Sequence, residues 1–196
     1  ADASEAPYRR LGIRLLDVRA GEAALELGYG TGHALVALAE AVGPGGRVAG
    51  VDLSQGMARQ ALARLRRAGL REVVTAVIGD AARPPLASGR FDVALMTFTL
   101  ELFPDAVMAS VLHQVRRLLR PDGRLGVVSL AKSEDPGLPE RAYTWVHRRM
   151  PRWVDCRPIF VTRRLEAAGF RVEQAVECRM WGLPVVSAVA APAEGA

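Results

Sequence analysis

The stretch Ala23–Ser54, AALELGYGTGHALVALAEAVGPGGRVAGVDLS, decides the fold. A short, mostly apolar run from Ala23 to Leu27 passes into Gly28-Tyr29-Gly30-Thr31-Gly32, after which apolar residues recur at helical spacing at Leu35, Val36, Leu38, Ala39 and Val42. Gly43-Pro44-Gly45-Gly46 ends that helix, Arg47 to Val51 reads as a second buried strand, and Asp52 stands at its carboxyl end, twenty residues beyond Gly32. Glycines at alternate positions tolerate positive φ and let a ligand come close to the backbone, while the next helix offers unbonded amide hydrogens at the same point. An acid at the end of the second strand can accept hydrogen bonds from both hydroxyls of a ribose.

Glycine spacing separates two nucleotide-type cofactors. A nicotinamide fingerprint requires Gly-x-Gly-x-x-Gly or Ala, and the third position falls on His33 counted from Gly28 and on Leu35 counted from Gly30. What stands here, Glu26-x-Gly28-x-Gly30-x-Gly32, resembles the first motif of class I S-adenosylmethionine-dependent methyltransferases. The resemblance implies that Glu26 faces the methionine ammonium of the cofactor and that Tyr29, Thr31, Leu53 and Met57 border it. It also implies a Rossmann-like α/β fold: a doubly wound, seven-stranded sheet, mostly parallel, with an antiparallel last strand.

Further motifs extend the resemblance along the chain. Val73 to Ile78 reads as a third strand ending in Gly79-Asp80-Ala81, which is similar to the acid motif whose carboxylate accepts from the adenine amino group, the next backbone amide bonding the ring. Phe91 to Phe98 reads as a central strand, and ligands of open α/β sheets bind beyond the carboxyl ends of strands. Met96 and Thr97 are therefore expected near the transferred methyl, with Glu101, Leu102 and Phe103 beginning an acceptor wall. Asp105 can cap a helix from Ala106 to Arg120, Pro121-Asp122-Gly123 reads as a turn, and Arg124 to Ala131 as a fifth strand. Ser54 is a good cap for a helix from Gln55 to Ala68, with Met57, Ala61, Leu62 and Leu65 as its buried stripe. Near the carboxyl end, Leu165 to Phe170 precedes two strands, Phe170–Cys178 and Val185–Ala190, joined through Arg179 to Pro184.

The composition narrows the function classes. A chain of 196 residues, half of them hydrophobic, buries one good core, so residues 1–22 are expected as a frayed tail and a lid-like helix starting at Pro7, and 23–196 as the methyltransferase domain. Members of this class often carry a longer amino-terminal lid than these twenty-odd residues. The net charge of +5 comes almost wholly from arginine, since Lys132 is the only lysine. Those arginines fall mostly on polar helix faces, with no ribonucleoprotein motif or zinc finger, so no nucleic acid is expected as a partner. Cys156 and Cys178 are isolated, which suits a reducing compartment and argues against a metal site. With no membrane-length apolar run, the chain is expected in the cytoplasm; peripheral membrane contact and a homodimer are both compatible with its surface.

The expected activity is methyl transfer from S-adenosylmethionine to a small-molecule acceptor of phenolic, quinol or lipid-like kind, the phrases Val-Asp-Leu-Ser and Leu-Arg-Pro-Asp-Gly being similar to those of type 11 and quinone-biosynthesis methyltransferases. Substitution at a sulfonium needs alignment more than a catalytic triad; where the acceptor must lose a proton, His147, Tyr143, Glu101 and Asp155 are the bases in reach. Residues 140–153 gather aromatic and arginine side chains that suit either a flat or an acidic acceptor. The competing readings are an NAD(P)-dependent oxidoreductase, which the glycine spacing and the lack of a Tyr-x-x-x-Lys pair disfavour, and a non-catalytic binding module on the same fold, which the set Glu26, Asp52 and Asp80 disfavours.

Overall fold

All five residues of Ala23–Leu27 are buried, and a strand buried on both faces belongs in the middle of a sheet. The computed structural model, which describes residues 2–149 and 156–193, puts it there. The elements run α1 (Asp2–Leu16), β1 (Ala23–Leu27), α2 (His33–Val42), β2 (Arg47–Asp52), α3 (Gln55–Arg67), β3 (Val74–Ile78), β4 (Phe91–Thr97), a 3-10 turn (Leu100–Leu102), α4 (Asp105–Leu118), β5 (Leu119–Leu130), α5 (Leu138–Arg149), α6 (Val161–Ala167), β6 (Phe170–Met180) and β7 (Leu183–Pro192). They form one seven-stranded sheet in the order β3-β2-β1-β4-β5-β7-β6. Neighbours from β3 through β5 are parallel, and β7 runs antiparallel to both β5 and β6. This is the doubly wound, mostly parallel sheet with an antiparallel last strand that the motifs implied.

Helices cover both faces. Leu35, Leu38 and Val42 of α2 and Ala61 and Leu65 of α3 pack with Leu16 of α1 on one side. Met108, Leu112 and Val115 of α4 and Val161 and Leu165 of α6 pack on the other. The chain winds from β1 outward to β3, then returns to lay β4 on the opposite side of β1. The crevice between the carboxyl ends of β1 and β4 is thus the topological switch point, where open α/β sheets take their ligands. A third apolar cluster stands at that end, with Phe98, Leu130, Met180 and Leu183 buried and Tyr8, Tyr143 and Cys156 packed against them.

Several elements differ from the sequence expectation, each for a local reason. α1 starts at Asp2 and carries Pro7 inside it. There it forfeits its amide bond and crowds the carbonyl four residues back, while its fixed φ still suits a helix; packing of the helix on the sheet outweighs that cost. Asp105 lies inside α4, whose cap position is Pro104, because its carboxylate is occupied by Arg157 and Arg164. Pro121-Asp122-Gly123 does not separate helix from strand: Phe91 pairs with Leu119 and Val93 with Arg124, so the segment bulges out of β5. β6 and β7 extend further than expected because Trp181 (φ 53°) and Gly182 (φ 81°) make a two-residue hairpin, the left-handed pair that matches strand twist.

Candidate functional site

The glycine turn after β1 is built from left-handed backbone, with Gly28, Gly30 and Gly32 all at positive φ. Two bonds hold it. The Gly32 amide donates to the Tyr29 carbonyl at 2.8 Å, and the Gly30 amide donates to Oδ2 of Asp52 at 2.8 Å. Asp52 also accepts from the Ser54 amide through Oδ1 at 2.8 Å, so this one carboxylate fixes the glycine turn and the entry to α3 together. Across the crevice, Phe98 follows β4 in a left-handed conformation, φ 50°. A bulky side chain held there is strained, and such strain gathers at ligand sites. It turns the Phe98 ring toward Tyr8 of α1, edge to face at 6.3 Å between centroids.

Between these loops lies a cavity of about 220 Å³, walled by Glu26, the glycine turn, His33, Met57 and Thr97, and closed from above by Glu5 and Arg9 of α1. Three of its wall residues carry buried polar atoms with no hydrogen-bond partner among the described residues: Glu26 Oε2, Tyr29 OH and Thr97 Oγ1. Unpaired buried polar atoms are costly, and three around one cavity define a place for a polar ligand. Burial pushes the Glu26 carboxyl from 4.5 up to about 8, against the opposing pull of the Arg9 charge; the Asp52 carboxylate adds to the rise and the Leu35 amide lowers it. Burial also pushes the Tyr29 hydroxyl upward, with Asp52 and Glu26 adding to it.

Around Asp52 large apolar side chains stand in solvent instead of in the core. Leu53 follows it and is 76% exposed; Ile78, its register partner on β3, is 51% exposed; and Met57 opens α3 at 39%. Met57 was expected in the buried stripe of α3, which is instead Ala58, Ala61 and Leu65. Asp80 is exposed beside them, its Oδ1 accepting from the Ala82 amide at 2.8 Å. Two expected cofactor neighbours, Met96 and Ala81, are packed into the core beneath the sheet's α4 face, because strand alternation sends Thr97 to the cavity and Met96 away from it.

The proposed bases are scattered. Tyr143 donates its hydroxyl to the Cys156 carbonyl at 2.9 Å. The side chain of His147 and all of Asp155 lie outside the described residues, as do Arg152 and Trp153. Glu101 is 1% exposed, accepts from the Leu130 amide through Oε1 at 3.1 Å, and is pushed up to about 7 chiefly by burial. It ties the turn after β4 to the end of β5. Because its native pKa lies above the ordinary 4.5, the folded chain holds a proton that the unfolded chain releases, so stability falls as pH climbs from about 4.5 past 7. Glu101→Gln keeps the acceptor for Leu130 and removes the buried charge. It is expected to raise the thermal midpoint at alkaline pH by on the order of 5 °C and to change nothing near pH 5; an equal shift at both pH values would show that burial of charge is not the cause.

Arg9, Glu5 and Ile78 were not read from the sequence as site residues. Arg9 and Glu5 lie on a helix whose apolar residues alone were legible, and Ile78 reads as one more strand residue unless its pairing with Asp52 is known.

Comparison with known proteins gives the family and the fold. A family model described as "Methyltransferase domain" matches residues 24–123, just over half of the chain. Nocamycin O-methyltransferase from Saccharothrix syringae is 40% identical over 121 residues, 62% of this chain and 42% of that protein. A demethylmenaquinone methyltransferase from Lactobacillus johnsonii is 36% identical over 129 residues, 66% of this chain and 52% of that protein. The chain thus spans about half the length of the curated relatives it matches. In fold it resembles the crystal structure of Burkholderia thailandensis 1,6-didemethyltoxoflavin-N1-methyltransferase, at a TM-score of 0.76 and 21% identity over 99% of this chain and 80% of that one. The glycine turn and Asp52 at the end of β2 fall within the matched segment, and the chain belongs to the methyltransferase-domain family.

Proposed function

We propose that the chain binds S-adenosylmethionine in the cavity at Glu26 and transfers its methyl group to a small-molecule acceptor. The supporting observation is the charge pattern of that cavity: a buried carboxyl with a free oxygen, Glu26, and a guanidinium, Arg9, in one wall set. Opposite charges at one small site suit the zwitterion of an amino acid, Glu26 for the ammonium and Arg9 for the carboxylate. Asp52 retains acceptor capacity beyond its two backbone bonds for ribose hydroxyls. Leu53, Met57 and Ile78 offer apolar faces to an adenine ring, and Asp80 an acceptor for its amino group. These residues fit the cofactor named by the fold relatives; a 1,6-didemethyltoxoflavin-N1-methyltransferase holds S-adenosylhomocysteine on the same fold.

When bound, the sulfonium supplies an already activated methyl and a neutral leaving group. The chain's part is alignment and exclusion of water. α1 borders the cavity with Glu5 and Arg9, and the Tyr8 hydroxyl anchors the helix by donating to the Arg179 carbonyl at 2.6 Å. Leu102 and Phe103, beyond β4, present an uncharged wall that suits a phenolic or lipid-like acceptor, the kind of partner implied by relatives named for O-methylation and demethylmenaquinone. Glu101 serves in this scheme as a positioning residue. Among the described residues no helix is long and apolar enough to cross a membrane. The comparisons lend no support to the oxidoreductase reading or to a homodimer.

Calorimetric titration with S-adenosylmethionine and with NADH tests this. Tight, stoichiometric S-adenosylmethionine binding and none of NADH is expected; the reverse order sinks the proposal. Asp52→Ala is expected to weaken S-adenosylhomocysteine by about tenfold to a hundredfold, since it removes the ribose acceptor and leaves the Gly30 amide unpaired.

A further inference from the structure

A second cavity, of about 430 Å³, opens on the far side of the turn that follows β4 and shares no lining residue with the first. Lys132, Arg157 and Arg164 line it, against one carboxylate, Asp105. Asp105 is already engaged by both arginines: Arg157 donates from Nη1 at 2.9 Å and from Nη2 at 3.1 Å, and Arg164 pairs with it as well. Those contacts, the Arg157 hydrogen bond first, hold its carboxyl below the usual range. Among the described lining residues one negative charge therefore answers three positive ones.

Lys132 is the unanswered cation. Among the described residues its ammonium has no ion pair; it lies 5.3 Å from the centroid of the Phe160 ring, whose other contact with a cation is Arg163 at 4.6 Å. Glu134, which borders the recess on the other side of Lys132, is taken by Arg163. The backbone fixes Lys132 in place, its amide donating to the Ile159 carbonyl at 2.9 Å where Ala131 and Ile159 bridge. Arg157 is fixed too, by a further bond to the Phe103 carbonyl at 3.3 Å. Thr144 adds a hydroxyl with no partner among the described residues, and Phe160 supplies an apolar wall. Preset cations, a free hydroxyl and an aromatic wall make a site for an oxyanion attached to a small apolar body.

We propose that this cavity binds the carboxylate or phosphate group of a small molecule, with Lys132, Arg164 and Thr144 as the contacting groups and Arg157 holding Asp105 in place. The inference is independent of the cofactor reading, since the two cavities have no residue in common. It is tested by titrating the chain, saturated with S-adenosylhomocysteine, with inorganic phosphate and separately with benzoate, following amide resonances. Saturable binding is expected, with shifts at Lys132 and Thr144. Lys132→Ala is expected to weaken it about tenfold at an unchanged melting temperature. Arg171→Ala, on β6 and paired with Glu173 away from both cavities, should leave it intact. Saturation by phosphate alone or by benzoate alone assigns the group, and saturation by both defines a general oxyanion site. Absence of saturation with either probe, or a Lys132→Ala chain that binds as tightly as the parent, overturns the proposal.

Discussion

Glu26→Gln is expected to melt above the parent chain at alkaline pH when no cofactor is present, and yet to lose S-adenosylhomocysteine affinity by about a hundredfold or more. The two effects have opposite sign and one cause. Glu26 is 2% exposed and its carboxyl sits at about 8, so ionising it in the empty cavity works against folding. The sign follows from linkage: a carboxyl whose folded pKa lies above its unfolded value adds stability below the unfolded pKa, and that stability is lost as pH climbs from about 4.5 to 8. Glutamine removes this penalty. It also removes the charge that an ammonium needs, and stripping one partner from a buried pair costs about 3–5 kcal/mol.

With Glu26 holding the ammonium as proposed, the same carboxyl makes cofactor binding a proton-releasing event. Below about pH 8 the empty cavity holds Glu26 protonated, so capture of an ammonium must expel that proton, and affinity is expected to rise by up to about tenfold per pH unit between pH 6 and 8. The groups facing Glu26 are Arg9 and Glu5 from α1, Asp52 from β2, and Tyr29 and His33 on the wall. His33 alone among them has an ordinary pKa inside that window, so His33→Gln serves as the control. Titrations at three pH values in buffers of different ionisation enthalpy decide it. A wild-type affinity flat with pH, or a pH slope that survives in Glu26→Gln and vanishes in His33→Gln, would falsify the assignment.

The sheet and the glycine turn that walls the first cavity were legible because their signals are local. Alternation of burial is not needed for a central strand: a pentad apolar but for Glu26, a glycine turn and a helical stripe within thirty residues suffice to place β1, α2 and β2, and Asp52 follows by position. Pro7 and Pro121 misled in the same way, as residues whose backbone rules describe what is forbidden and not what is tolerated. The cost of a proline inside a helix can be outweighed by tertiary packing of that helix, and a strand can expel Pro121 to Gly123 as a bulge when its ends pair on either side. The long-range half of the site was not legible. Arg9 reaches Glu26 across seventeen positions and Arg157 reaches Asp105 across fifty-two, and no periodicity reports which charges tertiary packing will bring together.

Gly32→Ala is expected to cost far more stability than Gly30→Ala, about 3–5 kcal/mol against about 1–2, although both glycines belong to one motif and both have positive φ. At Gly30, φ is 50° and an added Cβ would meet nothing within 4 Å, so the substitution carries backbone strain alone. At Gly32, φ is 80° and the Cβ would lie 2.8 Å from the Ala61 Cβ and 2.9 Å from its Cα. Neither atom can rotate away, because Ala61 is fully buried in α3 and has no side-chain torsion. Relief requires α2 and α3 to separate, which opens the packing around Leu35, Leu38 and Leu65. Gly32 is thus a helix-contact residue set inside a ligand turn, and Gly30 a turn residue held by Asp52. Urea unfolding of the two variants separates these roles. Equal destabilisation would place the cost in the turn itself and remove the helix contact as its cause.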